Sequence, residues 1–164
     1  KGYDIAIKTL SLLPKNYNLN IIGSGKNKKK LLNLIKNLKL NKRIKLLDKA
    51  NDQVKEKYLK KSSLFLMCST SRAESFGISI LEAISHSLPL IISRVKGSGM
   101  NDMIINKFNG YKFDNFSSED CAKKIIKLCE SKNRLNLFSK NSLKLFNQKF
   151  NRKKIEFNLE KIYY

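Results

Sequence analysis

Glu74 and Glu82 stand on either side of the apolar run in "ESFGISILEA", with a lone Gly77 between them. Two neighbouring carboxylates suggest glycoside hydrolysis, which needs the groups about 5 to 9.5 Å apart across one bond. A helix over this run separates them by about 12 Å, at about 1.5 Å of rise per residue. That is too far for an acid/base pair, but it suits gripping the two ends of one elongated ligand. Gly77 and Ile78 fall in the first turn, where unpaired amides and the helix dipole favour a phosphate. A diphosphate there has Glu74 just before the helix and Glu82 two turns along it. Carboxylates accept paired hydrogen bonds from hydroxyls, so a nucleotide diphosphate sugar matches, with ribose at one end and the transferred sugar at the other.

The surrounding chain must hold that turn in place. Short β-type runs alternate with longer stretches whose apolar residues recur at three and four spacing. A first helix carries Ile5, Ile7, Leu10 and Leu13 and is closed by Pro14; the strand "LNIIG" and a helix with Leu31, Leu34, Ile35 and Leu38 follow. Next come a strand at "RIKLL", a helix around Val54 to Leu59, the strand "SLFLM", a helix from about Phe76 to His86, and the strand "LPLIIS". A loop with Gly97 and Gly99, a strand at "GYKF" and helices from Ser118 onward complete the order, with "FNRKKIEFNLEKIYY" as a terminal helix. Strands joined by helices predict an α/β fold, a doubly wound parallel sheet of Rossmann-like type, with ligands bound beyond the carboxyl ends of the strands. The first helix has no strand before it, so the expectation is one partial domain over residues 1–164, part of a larger protein.

A chain of 164 residues is long enough for one core. Cys68, Cys121 and Cys129 form no CxxC pair, and with His86 as the single histidine they supply neither a disulfide framework nor a metal site. The cysteines without a pairing pattern fit a reducing compartment, and no apolar run reaches the length of a membrane span, so a cytoplasmic location is expected. The formal charge of +21 points to an anionic partner. A basic nucleic-acid-binding module is one such reading. Against it, lysine is abundant throughout the chain, including on helix faces with no obvious role, and the one dense cluster, "KNKKK", lacks interleaved aromatics. The "GSG" of Gly23 to Gly25 lacks the third glycine of a dinucleotide fingerprint. Ser69, Thr70 and Ser71 have no neighbouring histidine and read as a polar loop lining the cleft, and His86 reads as a helix-terminal or packing residue.

"ESFGISILEA" resembles the E-x7-E signature of the retaining GT-B glycosyltransferases of the group 1 glycosyl transferase family. Other segments fall in the family's order: "KG" at Lys1 and Gly2, "LNIIGSG", "RIKLLD", "GSGMNDMI" and "NKFNGYKF". The resemblance covers Lys1 to about Phe113. It implies the C-terminal, donor-binding half of a GT-B fold and transfer of a sugar, with retention, from a UDP- or GDP-sugar to a glycan or lipid-linked acceptor. The implied setting is bacterial polysaccharide, lipopolysaccharide or glycolipid synthesis. Glu74, as the catalytic position, would hold donor-sugar hydroxyls, Phe76, Gly77 and Ile78 would contact sugar and phosphate, and Glu82 would take the ribose diol. Lys1 would neutralise the pyrophosphate, Gly25 would lie near the cleft beside Ser24, and Ala50 and Lys55 would line the base. The resemblance further implies no metal, no other cofactor and no nucleic-acid partner, and a separate N-terminal domain for the acceptor. Without that domain, the isolated chain is expected to bind donor weakly and to transfer poorly. An anionic membrane surface is a further expected partner, reached peripherally from the inner face. Two positions depart from the pattern, Asp48 and Ser87, each standing where the family usually has glycine. A GT-B-like nucleotide-sugar epimerase is an alternative that need not carry the E-x7-E spacing.

Overall fold

The computed structural model describes residues 1–48, 50–71 and 77–150. Among these residues, helices and strands alternate from α1 to β4 and end with a strand and two helices: α1 (Tyr3–Leu12), β1 (Leu19–Ile22), α2 (Lys28–Asn37), β2 (Ile44–Leu47), α3 (Asp52–Lys61), β3 (Phe65–Met67), α4 (Ile78–Ser85), β4 (Leu90–Ser93), β5 (Gly110–Phe113), α5 (Ser118–Cys129) and α6 (Lys132–Lys149). A short 3-10 turn, Gly99–Asp102, occupies the expected loop between β4 and β5. The order is the one the periodicity predicts. The proposed terminal helix beyond Phe150 lies outside the described residues.

Every strand pairing is parallel, but the strands form two ladders: β1 with β2, and β3 with β4 with β5. One apolar core ties the ladders together, since Ile21 and Ile44 pack in the same cluster as Ile91 and Phe113. The strand period of two decides which layer each residue serves. On β4 all four residues are buried; Ile91 faces the cluster under α1, α2 and α5, while Leu90 and Ile92 face the one under α3, α4 and α6. On β3, Leu66 and Met67 divide in the same way. Helices therefore cover both faces, as the near-continuous apolar strands of a parallel sheet require.

Local chemistry fixes the connections. Arg43, just ahead of β2, donates to the carbonyls of Leu13 (3.2 Å), Pro14 (2.7 Å) and Tyr17 (2.9 Å), and so holds the turn that leads into β1. At the start of β5, Gly110 lies so close to β4 that an added Cβ would be 2.1 Å from the Leu90 carbonyl oxygen. The preceding Asn109 is fully buried; its side chain accepts from the Ile105 amide at 2.8 Å and donates to the Met103 carbonyl at 3.1 Å. The Asn-Gly pair in "NKFNGYKF" thus anchors the loop and lets β5 approach the central strand.

Ser87, which follows the α4 C-cap His86 and stands where the resembled family has glycine, has φ of 60°. A left-handed backbone costs a side-chain-bearing residue roughly 1–2 kcal/mol. Ser87→Gly is therefore expected to stabilise the chain by about 0.5–1 kcal/mol, the rest being offset by the greater freedom of glycine in the unfolded state. A raised urea midpoint with unchanged slope would record this; an unchanged or lowered midpoint would contradict it.

Candidate functional site

The carboxyl ends of β1 and β3 meet the start of α1. Tyr3 donates its phenol hydroxyl to the carbonyl of Ile22, the last residue of β1, at 3.3 Å. Gly2, with φ of 66°, presses against the Cys68 carbonyl just after β3, where an added Cβ would come within 1.8 Å of the oxygen. These two contacts set Lys1, which is exposed, at the carboxyl edge.

α4 starts at the same edge, after β3. Its N-cap is Gly77, with φ of 70° and ψ of 52°, a left-handed conformation that glycine adopts without penalty. An added Cβ there would approach Ile80 Cδ1 at 3.0 Å and Met100 Cγ at 3.3 Å, so the 3-10 turn after β4 packs against the helix entrance. Gly77 supplies no side-chain cap. Among the described residues, the amides of Ile80 and Leu81 are the first in the helix to find a carbonyl, that of Gly77, at 2.7 and 3.2 Å. The amides ahead of them are the donors left over at a helix start, and Ile78 beside them is 67% exposed. α1 and α2 also begin without a side-chain cap. By contrast Asn51, Ser117 and Ser131 cap α3, α5 and α6.

Glu82 lies one helical turn beyond Ile78, and its carboxylate oxygen Oε1 accepts a hydrogen bond from Lys55 Nζ at 2.6 Å. Lys55 also contacts Asp52 Oδ1 at 3.0 Å. The side chains of Lys55 and Glu82 are each 32% exposed, at the rim rather than in the core. Hydrogen bonding to Glu82 first, and to Asp52 second, holds the Lys55 ammonium above its ordinary range, so it stays charged at neutral pH.

Among the sequence-predicted residues, Lys55 and Glu82 are in direct contact, with Gly77 and Ile78 at the start of the helix that carries Glu82. Ala50 is half-buried in the loop between β2 and α3. Gly25 sits in open space between β1 and α2, with nothing within 4 Å of an added Cβ. Glu74 and Phe76 lie outside the described residues. His86 is the C-cap of α4, its Nδ1 2.9 Å from the Glu82 carbonyl, which is the helix-terminal role expected of it. Asp48 accepts from Lys28 at 2.8 Å and ties the β2 loop to the start of α2.

Ser69 is buried. Its hydroxyl donates to the Ser71 carbonyl at 3.2 Å, and its carbonyl accepts from Ser93 at 2.6 Å, so it braces the loop rather than facing the cleft. Cys68 is buried, and hydrogen bonding with Cys121 together with burial pushes its thiol well up, which leaves it unreactive filler. Sequence reasoning passed over Asp52 and Met100. Asp52 could have been found from its spacing of three to Lys55; Met100 carries no such signal. Among the described residues, no three His, Cys, Asp or Glu side chains are grouped as metal ligands would be, and no helix is long and apolar enough to cross a membrane.

The family described as Glycosyl transferases group 1 matches residues 1–145. The chain is similar to the uncharacterized glycosyltransferase MJ1178 of Methanocaldococcus jannaschii, with 29% identity over 163 residues that make up 99% of this chain and 44% of the relative. Among solved structures it is similar to Anabaena Alr3699/HepE in complex with UDP, with a TM-score of 0.88, 23% identity, and coverage of 99% of this chain and 45% of that one. It is also similar to the pneumococcal O-GlcNAc transferase GtfA in complex with UDP and GlcNAc, with a TM-score of 0.85, 27% identity, and coverage of 99% and 32%. The chain spans less than half the length of each of these three proteins.

Proposed function

Since this chain belongs to the glycosyl transferases group 1 family and has the fold of the C-terminal half of a GT-B enzyme, we propose that it is the donor-binding domain of a retaining glycosyltransferase. The observation that carries the reading is α4, a helix that opens on an uncapped glycine at the carboxyl edge and holds the Glu82 carboxylate at its rim. In this reading the diphosphate of a nucleotide sugar sits on the amides at the start of α4. The ribose hydroxyls donate to Glu82, and the base lies toward Ala50 and Lys55. Glu74 and Phe76 engage the transferred sugar.

The reaction breaks the bond between the anomeric carbon and the diphosphate oxygen, and an acceptor hydroxyl oxygen bonds to that carbon on the same face while its proton passes to the departing nucleoside diphosphate. Negative charge grows on the departing diphosphate. Lys1 and the α4 amides are already oriented at the strand edge, so they stabilise that charge with little reorganisation. No metal is required in this scheme. UDP in the complex of the GtfA relative favours a uridine donor. The acceptor is assigned to a separate domain across the cleft.

A panel of UDP, GDP and ADP sugars tests the reading by thermal shift, because a ligand bound only to the native state raises its apparent stability. One nucleotide class, UDP first, is expected to raise the melting temperature, and Glu82→Ala is expected to abolish the rise. If no nucleotide sugar moves the transition at millimolar concentration, the donor-site reading fails.

A further inference from the structure

We infer that Lys55 is a positioning residue for Glu82, and that its bond across the α3–α4 interface gives this site its recognition of an intact ribose diol. The inference rests on the reading above that Glu82 receives the ribose. Lys55 lies in the first turn of α3, and Glu82 comes from a different helix, α4. Their bond, at 2.6 Å, is charge-assisted and occupies only one of the two carboxylate oxygens. Glu82 Oε2 accepts no hydrogen bond from a described residue and is free for a hydroxyl.

The arrangement restricts two flexible side chains together. A glutamate carboxylate otherwise turns broadly about its last torsion, which has no staggered wells to hold it. Lys55 stops that rotation by fixing Oε1. Asp52, at 3.0 Å from the same ammonium and 97% exposed, takes a second of the three lysine donors and keeps the ammonium from following Glu82 if Glu82 moves. Lys28 and Asp48 form a separate ion pair between the start of α2 and the loop after β2. Lys55 and Glu82 therefore join α3 to α4 at the place where the ribose is assigned.

The test compares the full 164-residue chain with Lys55→Met, which keeps the stem of the side chain, and with Lys55→Arg, which keeps the charge. Calorimetry would measure binding of UDP, GDP and ADP and of their 2′-deoxy forms. The native chain is expected to prefer the ribonucleotide by about 10- to 100-fold, the range set by one hydrogen bond to a charged group. Lys55→Met is expected to reduce that preference below about 3-fold while melting cooperatively, and Lys55→Arg to restore most of it. In a Glu82→Gln background, Lys55→Met is expected to change nothing further. If the native chain binds ribo and deoxy forms equally, or binds neither, the Glu82–ribose reading falls and the inference with it. If the native chain discriminates and Lys55→Met discriminates as well, only the positioning role falls. A purely structural Lys55 would weaken both nucleotides alike and leave their ratio intact, which also overturns the inference.

Discussion

Gly110→Ala is expected to destabilise the chain by about 3–5 kcal/mol, at the upper end of what single core substitutions do. The added methyl would overlap the Leu90 carbonyl oxygen at 2.1 Å, the carbonyl carbon at 2.8 Å and the Leu90 Cβ at 2.9 Å. Two of these three atoms are backbone of the fully buried central strand, so no side chain can swing aside. Relief would require β5 to move off β4, breaking the Leu90–Gly110 to Ser93–Phe113 register and exposing Tyr111 and Phe113. Urea unfolding gives the measurement: a midpoint lowered by more than 1 M is expected, for a slope of about 2 kcal/mol/M. A loss under about 1 kcal/mol would show that β5 stands further from β4 than described.

Glu82→Ala is expected to lower donor affinity about 100-fold with little change in stability. Each hydrogen bond from a hydroxyl to a charged group contributes about 1.5–3 kcal/mol, and a factor of ten corresponds to 1.4 kcal/mol. The lost pair with Lys55 is one-third exposed, and such surface pairs contribute at most about 1 kcal/mol to folding. Calorimetric titration of UDP into both chains separates the two effects. Equal affinities would remove Glu82 from the ribose site, while a large fall in melting temperature would make it a folding residue.

The element order was readable because the two periods do not overlap: Leu31, Leu34, Ile35 and Leu38 recur at three and four spacing as a helix face, whereas "LPLIIS" is a short apolar run ending in a serine. Gly77 was readable as a helix entrance because an isolated glycine ahead of an amphipathic run has few other uses, and the structure places it as the N-cap of α4. The Lys55–Glu82 bond was not readable. Twenty-seven residues separate the partners, and only the packing of α3 beside α4 makes them neighbours. The division of the strands into two ladders was equally hidden, since pattern reveals strands but not which edges bond. Ser69 was misjudged for a related reason: a serine after a strand looks alike whether it faces solvent or accepts from a distant Ser93.

α1, α2 and α4 start without side-chain caps, and α1 and α4 both open at the carboxyl edge. Their dipoles point the same way and superimpose on a chain of formal charge +21. An approaching anion therefore moves downhill before it touches anything, over roughly the 8 Å across which physiological salt leaves a field unscreened. Added salt slows the arrival of such an anion more than it hastens the departure, because departure breaks short contacts that mobile ions do not reach.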